Sequence, residues 1–463
     1  MSQHYDLVVI GSGPAGQRAA VQAAKIHKRV VVIERGREIG GVAVHTGTIP
    51  SKTLREAAMY LSGYDQRGFY GKSYRLKDNL TMDDLLQRVA ITIQQETEVM
   101  SHQLRRNNVD IILGSATFLD PNRIQITSRD GKISEVQGDH ILLATGTRPN
   151  RPEHIPFDGE VIVDSDDILS LKKIPRSMAV IGAGVIGAEY ASIFSALDIK
   201  ITLVDGREDM LGFMDREIID ELIHLMRDRG TVVRLGENVV DVIKNEKGQA
   251  VVSLESGKKF VADLVMFASG RLGCVKALNL SAAGLTSDSR GLVSVNEFYQ
   301  TEVPHIYAAG DLIGFPSLAS TSMEQGRLAS RHAFGLSLHS NAELFPFGVY
   351  AVPEMSMVGK TEKELTRDKI PYEVGIARLK ETARGHIMGL QEGLLKLIFS
   401  LETKKLLGVH VLGEEATELV HIGQAVLALD GDLDFFIENV FNYPTLAEAY
   451  KIAALDACNR MVS

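Results

Sequence analysis

The feature that most constrains the fold of this chain is a β-α-β pattern that occurs twice. The first copy is YDLVVIGSGPAGQRAAVQAAKIHKRVVVIERG, beginning at Tyr5; the second is SMAVIGAGVIGAEYASIFSALDIKITLVDGRED, beginning at Ser177. Equivalent glycines lie 171 residues apart, which indicates an internal duplication rather than a short solenoid repeat. Near-continuous apolar strands that alternate with helices predict parallel sheets covered on both faces.

Both glycine turns follow the pattern G-x-G-x-x-G between a strand and a helix, and an acidic residue ends the next strand. The residues that carry the two patterns are Gly11, Gly13, Gly16 and Glu34, then Gly182, Gly184, Gly187 and Asp205. Such glycines let backbone amides approach a pyrophosphate, and a strand-end carboxylate binds a ribose hydroxyl. One such pattern alone is also compatible with a tight turn. Two complete copies predict two dinucleotide sites.

Composition limits the class of protein. A chain of 463 residues is too long for one core, so two to four domains are expected. The net charge of -9 argues against a general binder of nucleic acid or of anionic membranes. No apolar run predicts a membrane span, and the chain starts without a signal-peptide pattern, so a cytoplasmic protein is expected. Cys274 and Cys458 form neither a disulfide framework nor a zinc motif, and no metal is expected.

The remaining segments predict further elements. Apolar residues at helical spacing between 81 and 107 predict a helix, and short strands follow it up to about residue 146. From about Phe345 onward, strand patterns and then two helix patterns predict an α+β domain. Pro444 is predicted at the first position of the last helix.

Several motifs now point to a known family. TEVPHIYAAGD, ending at Asp311, resembles the second flavin-binding motif of flavoproteins that bind two dinucleotides. HILLATG and LVMFASGR are similar to the strands that end the FAD and nicotinamide segments there, and GGVAVHTGTIPSK, Gly40 to Lys52, resembles the catalytic segment. These markers run through the whole chain in family order. The chain therefore resembles the family of glutathione reductase and dihydrolipoamide dehydrogenase.

This resemblance implies an α/β fold with two Rossmann-like domains and an α+β dimerisation domain, in a homodimer or a larger homo-oligomer. FAD is expected in a domain of residues 1–150 and 272–344, and NAD(H) or NADP(H) in residues 151–271. Residues 345–463 are expected to form the dimer interface. Beside the two glycine patterns and their acids, the expected cofactor-binding residues are Pro14, Ala15, Arg35, Gly41, Lys52, Thr145, Gly146, Arg207, Gly270, Arg271, Gly310, Asp311 and Ala319.

The reactive residues of the disulfide-reducing members are missing. Their two cysteines correspond to Ala43 and Thr48 here, and their catalytic histidine, which the partner subunit contributes, corresponds to Tyr443. Glu448 retains the acid that accompanies that histidine. Since no thiol remains to be protonated, a histidine base has no function. The sequence therefore predicts that this chain is not a disulfide reductase.

The framework for hydride transfer is retained. By resemblance, Lys52 lies near the flavin N5 edge and pairs with Glu189. The alternatives are a solvated lysine in the first turns of a helix and a surface carboxylate. A cation there stabilises reduced flavin. Thr48 either contacts the flavin or caps its own helix. Tyr443 either shields the flavin, hydrogen bonds with Glu448 across the dimer, or packs in the interface.

One branch of the family shares this loss: the soluble, Si-specific pyridine nucleotide transhydrogenases. They resemble the chain in HTGTIPSK, GAGVIGAEYASIF and FNYPTLAEAY. The resemblance implies that NADPH reduces FAD and that NAD+ then reoxidises it at the same site. The alternatives are an NAD(P)H diaphorase that reduces a quinone, and a flavin-containing module that senses redox state.

Such an enzyme must admit both nucleotides. Asp205 favours a free ribose 2'-hydroxyl, whereas Arg207 can bind a 2'-phosphate through a charge-assisted contact. The alternative is a charged loop without a role in selection. We expect Arg207→Ala to raise the Michaelis constant for NADP(H) more than that for NAD(H).

Overall fold

The computed structural model describes residues 3–71, 73–340 and 344–462. Its helices are α1 (Pro14–Ala24), α2 (Gly41–His45), α3 (Thr48–Ser62), α4 (Arg67–Tyr70), α5 (Met82–Arg106), α6 (Val185–Ala196), α7 (Arg216–Asp228), α8 (Ala319–Ala333), α9 (Glu362–Arg367), α10 (Ala383–Met388), α11 (Ala416–Ala428), α12 (Leu433–Glu438) and α13 (Glu448–Val462).

Its strands up to residue 205 are β1 (Gln3–Ile10), β2 (Val30–Glu34), β3 (Asp110–Leu113), β4 (Ser115–Phe118), β5 (Arg123–Thr127), β6 (Ile133–Leu143), β7 (Thr147–Pro149), β8 (Ile162–Asp164), β9 (Ser177–Ile181) and β10 (Lys200–Asp205). The later strands are β11 (Val232–Leu235), β12 (Val239–Lys244), β13 (Ala250–Leu254), β14 (Lys259–Ala262), β15 (Leu264–Phe267), β16 (Arg271–Gly273), β17 (Ile306–Ala308), β18 (Phe347–Val349), β19 (Met355–Gly359), β20 (Tyr372–Arg378), β21 (Leu394–Ser400) and β22 (Leu406–Leu412).

The chain divides into two compact units. The first contains the described residues of 1–53, 86–150 and 270–342. Its sheet has the order β3-β2-β1-β6-β5-β4, and β17 also pairs with β6. Strands β3, β2, β1, β6 and β17 run parallel to one another, whereas β5 and β4 extend the sheet beyond β6 as antiparallel strands.

Both faces of this sheet are covered, which explains why β1 is apolar at every position from Leu7 to Ile10. Leu7 and Val9 of β1 belong to a core shared with helices α1, α5 and α8. Val8 and Ile10 point into a second core on the opposite face, which contains Phe118. A strand buried on both sides cannot show the apolar-polar alternation of a half-exposed strand.

The second unit contains the described residues of 54–85, 151–269 and 343–463. Its parallel sheet has the order β11-β10-β9-β15-β8. The antiparallel sheet β12-β13-β14 covers one face of that sheet through a shared apolar core. A further antiparallel sheet, β18-β19-β22-β21-β20, packs with α11, α12 and α13 around a separate apolar core.

The predicted elements are largely present. The duplicated blocks form β1-α1-β2 and β9-α6-β10, and their second strands end at Glu34 and Asp205, as predicted. The prediction for Pro444 is wrong, because α13 begins at Glu448 and the proline precedes it by four residues. The three predicted domain boundaries stay a prediction, and their outer ends, residues 1 and 463, lie outside the described residues. In the part of the chain that the structure describes, no helix has the length and apolarity needed to cross a membrane.

Candidate active site

The first glycine loop connects β1 to α1 and needs its glycines for different reasons. Gly11 has a positive φ of 104°, and a Cβ there would lie 2.3 Å from the carbonyl oxygen of Ala144. A Cβ on Gly16 would lie 1.9 Å from the carbonyl oxygen of Gly11, so this glycine permits close packing of helix on strand. Around Gly13, by contrast, no atom of the other described residues, apart from its chain neighbours and the adjoining helix backbone, lies within 4 Å of the position of a Cβ. Gly13 therefore leaves room for a ligand at the N-terminus of α1.

Glu34 at the end of β2 is fixed by this loop. Its Oε2 accepts hydrogen bonds from the backbone nitrogen of Ser12 at 3.0 Å and from the Ser12 hydroxyl at 2.6 Å, and its Oε1 accepts one from the Gly36 nitrogen at 2.6 Å. The Ser12 hydroxyl in turn accepts a hydrogen bond from the Gly40 nitrogen. The carboxylate is thus buried and oriented, with lone pairs left for a ribose hydroxyl.

Three sequence motifs meet at one edge of the first sheet. Strands β1, β6 and β17 are adjacent and parallel, with Leu143 of β6 in register with Ile10 and with Ala308. The residues that follow these strands, at the glycine loop, at Thr145 and at Gly310, therefore lie at the same carboxyl edge. Ligands of open parallel sheets bind outside this edge.

The residues at this edge have polar groups available for a cofactor. The hydroxyl of Thr145 is buried and has no hydrogen-bond partner among the described residues. Asp311 accepts a hydrogen bond from the Thr147 hydroxyl at 3.2 Å. Burial raises the pKa of Asp311, although Arg271 and Thr147 oppose the shift. An orphaned buried hydroxyl and a constrained acid beside an open glycine loop fit the polar parts of a dinucleotide.

The other residues predicted for this cofactor lie in the same unit. Pro14 and Ala15 form the first turn of α1; Gly41 begins α2, and a Cβ there would lie 3.0 Å from Cα of Gly13. Ala319 begins α8, whose Gly326 permits contact with Ala15. The exposed Arg35 donates a hydrogen bond to the sulfur of Cys274 at 3.4 Å. The carbonyl of Gly146 accepts from the backbone nitrogen of the same cysteine at 3.0 Å.

Arg271 lies in the first unit, although the sequence pattern placed it at the end of the nicotinamide segment. Its guanidinium donates to the hydroxyl of Thr147 at 2.8 Å and to the carbonyl of the same residue at 3.0 Å. Gly270, which precedes it, has a positive φ of 99° and accepts a hydrogen bond from Asn150. Gly270 and Arg271 therefore belong to the unit that contains Asp311.

The catalytic segment spans α2 and the start of α3. Ala43 lies in α2 and Thr48 is the exposed first residue of α3. His45 bonds through its Nε2 to the carbonyl of Ile39 at 2.8 Å, which gives this imidazole a structural contact. Lys52 is half-buried, and its ammonium donates to the hydroxyl of Ser51 at 3.3 Å.

The second glycine loop, between β9 and α6, repeats the first. Gly182 has a φ of 107°, and its Cβ would lie 2.5 Å from the carbonyl oxygen of Ala268. A Cβ on Gly187 would lie 1.8 Å from the carbonyl oxygen of Gly182. At Gly184 the nearest atom to a Cβ is the Arg207 Nη2, at 3.9 Å. The open middle glycine is thus common to both loops.

Asp205 is held in the same way as Glu34. Each carboxylate accepts hydrogen bonds from one backbone amide in its glycine loop and from the amide two residues after the acid. Its Oδ2 accepts from the Ala183 nitrogen at 2.5 Å and its Oδ1 from the Arg207 nitrogen at 2.8 Å. The Arg207 guanidinium adds two further bonds, from Nε at 3.0 Å and from Nη2 at 2.7 Å. Burial alone would raise the pKa of Asp205, but these hydrogen bonds outweigh it and lower the pKa.

Glu189 is a buried carboxylate of α6. Its side chain is 2% exposed, and its Oε1 accepts a hydrogen bond from the backbone nitrogen of Tyr350 at 2.9 Å. The alternative of a surface carboxylate is therefore wrong. The pairing of Lys52 with Glu189 stays a prediction.

Tyr443, at the position predicted for the family's histidine, and Glu448, at that of its acid, differ in their surroundings. Tyr443 is 68% exposed. Glu448 begins α13, and its Oε2 is buried without a hydrogen-bond partner among the described residues. The roles predicted for both residues in a dimer stay predictions.

Ser12 and Thr147 are polar residues of the site that the sequence patterns did not single out. Ser12 is the variable residue between the first two glycines, where the chain offers a hydroxyl 22 residues before the acid that it binds. A serine between the first two glycines indicates this contact with the strand-end acid. Thr147 contacts Arg271 across 124 residues, and no local pattern indicates that contact.

Comparison with known proteins identifies the family of the chain. The family model described as "Pyridine nucleotide-disulphide oxidoreductase" matches residues 5–326, and that family's dimerisation domain matches residues 345–454. The chain is 53% identical to the soluble pyridine nucleotide transhydrogenase of Mycobacterium bovis BCG, covering 99% of this chain and 98% of that one. It is 44% identical to the soluble pyridine nucleotide transhydrogenase of Colwellia psychrerythraea, with the same coverage.

Solved structures show the same fold. LpdA from Mycobacterium tuberculosis has a TM-score of 0.89 at 25% identity, covering 98% of this chain and 99% of that one. The flavoprotein disulfide reductase RclA from Escherichia coli has a TM-score of 0.87 at 26% identity, covering 97% of this chain and 99% of that one. The chain belongs to the pyridine nucleotide-disulphide oxidoreductase family.

Proposed function

We propose that this chain is an FAD-dependent enzyme that transfers hydride from NADPH to NAD+ without a redox disulfide. The observation that carries the proposal is the retention of both dinucleotide loops while Ala43 and Thr48 occupy the positions of the family's cysteines. Relatives at 43% to 53% identity over nearly the whole chain have transhydrogenase names. These relatives favour this activity over a quinone-reducing diaphorase and over a redox-sensing module.

The first unit supplies the residues that would hold FAD. The amides of the glycine loop and the N-terminus of α1 are suited to the pyrophosphate, and Glu34 to the adenosine ribose. Thr145 and Asp311 are suited to the polar chain that leads to the flavin ring. When bound, FAD supplies a two-electron carrier that can accept and return a hydride.

The second unit supplies the residues for the nicotinamide nucleotides. Asp205, with two backbone amides orienting it, is suited to accept a hydrogen bond from the ribose 2'-hydroxyl of NAD(H). The Arg207 side chain is 62% exposed and can leave Asp205 to bind the 2'-phosphate of NADP(H). One site thus has one partner for each nucleotide, which supports dual use.

Hydride transfer itself needs orientation and charge rather than an acid or a base. We assign Lys52 the role of a cation near the flavin and the buried Glu189 the role of keeping that cation charged and in place. Thr48 is assigned to the face of the flavin where the disulfide-reducing members have a cysteine. Tyr443 and Glu448 are assigned to the same site from the partner subunit of a homodimer, which the dimerisation-domain match over 345–454 supports.

The proposal extends to the domains, the location and the assembly of the protein. We propose an FAD domain of residues 1–150 and 272–344, an NAD(P) domain of 151–271 and an interface domain of 345–463. We also propose a cytoplasmic location and an assembly of at least a dimer.

An anaerobic assay of the purified flavoprotein tests the activity. NADPH is mixed with thio-NAD+, and thio-NADH is followed at its own absorbance; lipoamide, oxidised glutathione and a soluble quinone are run in parallel. Rapid formation of thio-NADH with inert disulfides is expected. Slow formation beside fast quinone reduction would instead establish the diaphorase, and flavin reduction that no acceptor reverses would establish a sensing module.

A further inference from the structure

Helix α7, which follows the nucleotide-reading strand β10, is anchored at its N-terminus by a buried ion cluster. Asp215 is 2% exposed and caps the helix by accepting a hydrogen bond from the Glu217 nitrogen at 3.2 Å. Lys396 of β21 donates to the same Oδ1 at 2.8 Å. The cap of α7 therefore depends on a cation from the C-terminal sheet.

Lys396 is fully buried, at 0% exposure, and is surrounded by carboxylates. Besides Asp215 it donates to Glu217 at 3.0 Å and to Glu362 of α9. Burial alone would lower the pKa of Lys396, but its three carboxylate partners outweigh burial and raise it, so the ammonium stays charged. The carboxylates lie within 4.8 Å of one another, a spacing that suits a metal ion. The ammonium already bonds to all three carboxylates and supplies the positive charge at this place.

The C-terminal end of α7 is anchored as well. Arg229, the residue directly after the last turn, donates to the carbonyl of Val352 and to the Glu392 carboxylate at 2.7 Å. Its guanidinium also lies over the ring of Tyr64, 5.0 Å from the centroid. Both ends of α7 are thus fixed to residues outside the nucleotide-binding sheet.

Asp205 and Arg207, here called the selecting pair, are connected to the anchored helix by the loop of residues 206–214. The ring of Phe213 packs on Phe347 of β18, with centroids 4.6 Å apart. Met210, Leu211 and Met214 are buried. At its other end the loop is joined to the nucleotide site, where the Arg207 carbonyl accepts from the Gly236 nitrogen. Between Arg207 and Asp215, the exposed residues are Glu208, Asp209 and Gly212.

We propose that Lys396 is a positioning residue for nucleotide binding: it fixes the start of α7 and, through the loop, the place of Asp205 and Arg207. The inference rests on the proposed nucleotide role of that pair. Without Lys396, Asp215 becomes a buried charge that lacks its cation, and the N-terminus of α7 must move to hydrate it. The selecting pair then loses its fixed position, although Lys396 touches no nucleotide.

The test compares the holoenzymes of Lys396→Met and Lys405→Met. Methionine keeps most of the lysine volume, and Lys405 is an exposed lysine directly before β22 that pairs with Asp430 on the surface. Binding of NADP+ and of adenosine 2',5'-bisphosphate is measured by calorimetry, beside flavin content and the rate of flavin reduction at saturating NADPH. We expect Lys396→Met to raise both dissociation constants at least fivefold, with flavin content and saturated rate within twofold of the parent. Lys405→Met should change none of these.

Unchanged dissociation constants together with a lower unfolding temperature would overturn the proposal, because they would show a purely structural role. If Lys396→Met does not fold, Glu217→Gln and Arg229→Met provide the test. Glu217 is partly exposed, and its loss leaves the ammonium two carboxylates. Each of these variants should raise the dissociation constants about two- to threefold, and no change in either would also overturn the proposal. A parent enzyme that binds NADP+ but reduces no thio-NAD+ would refute the proposed activity and leave this test valid.

Discussion

Replacing Arg207 with alanine is expected to weaken the binding of NADP(H) and to leave that of NAD(H) nearly unchanged. A hydrogen bond to a charged phosphate contributes about 1.5–3 kcal/mol. Arg207 must first give up its contacts with Asp205, whose side chain is 6% exposed. Because the guanidinium is 62% exposed, the loss of this pair offsets about 0.2–1 kcal/mol of the gain. The net contribution is about 1–2 kcal/mol, or roughly a 5- to 30-fold increase in the dissociation constant for NADP+.

The assay measures dissociation constants for NADP+ and NAD+ on the oxidised enzyme and the Michaelis constants for NADPH and thio-NAD+. NAD+ binding should stay within about twofold, because Asp205 retains its backbone donors and gains a free lone pair. Arg207→Lys serves as the matched control, since it keeps the charge but not the planar fork, and should fall between parent and alanine variant. Equal weakening of both nucleotides by Arg207→Ala would refute the phosphate contact.

Further predictions follow from the same structure. Gly13→Ala should fold with the stability of the parent, because its methyl meets no described residue beyond the local backbone within 4 Å, but it should lose FAD affinity because the methyl takes up the space left for the ligand. The unfolding temperature and the visible absorbance measure the two effects. Gly16→Ala should lower the unfolding temperature, since its Cβ would lie 1.9 Å from a carbonyl oxygen, and an unchanged temperature would contradict the packing argument. Glu189→Gln keeps the partner of the Tyr350 nitrogen but removes the charge, so stopped-flow should show slower flavin reduction at unchanged nucleotide affinity. Burial and neighbouring carboxylates raise the pKa of Glu414 from 4.5 to about 7, so between these pH values the folded state binds a proton that the unfolded chain releases. The free energy of unfolding should therefore fall as the pH rises through this interval. Denaturant unfolding at pH 5 and pH 8 measures this fall, and Glu414→Gln should remove it.

The strand-glycine-helix units were predictable from the sequence because their determinants are local. Gly11 and Gly182 are each required within a few residues of a strand end, and apolar runs on both sides fix the strands. The strand-end acids were predictable for the same reason, and the structure places Glu34 and Asp205 in equivalent hydrogen-bond arrangements. The replacement of the family's two cysteines by Ala43 and Thr48 was also predictable, because it consists of residue types at known spacing.

Contacts between distant segments were not predictable. Lys396 reads as an ordinary strand lysine, yet it meets Asp215 at a separation of 181 residues. Arg271 follows a strand of the nucleotide-binding sheet, but its guanidinium bonds to Thr147, 124 residues earlier. Neither contact leaves a periodic signal, because each depends on how complete elements pack. Pro444 was misplaced because the proline pattern alone does not state where the helix that follows it begins.

The central claim is that one flavin is reduced by NADPH and reoxidised by NAD+ in two separate half-reactions. The direct measurement is anaerobic: the enzyme is reduced with one equivalent of NADPH, freed of NADP+ by rapid gel filtration, and mixed with NAD+ in a stopped-flow instrument. We predict one NADH per flavin, formed at least as fast as steady-state turnover. Reduced enzyme that NAD+ does not reoxidise, or that reacts only with a quinone, would contradict the account.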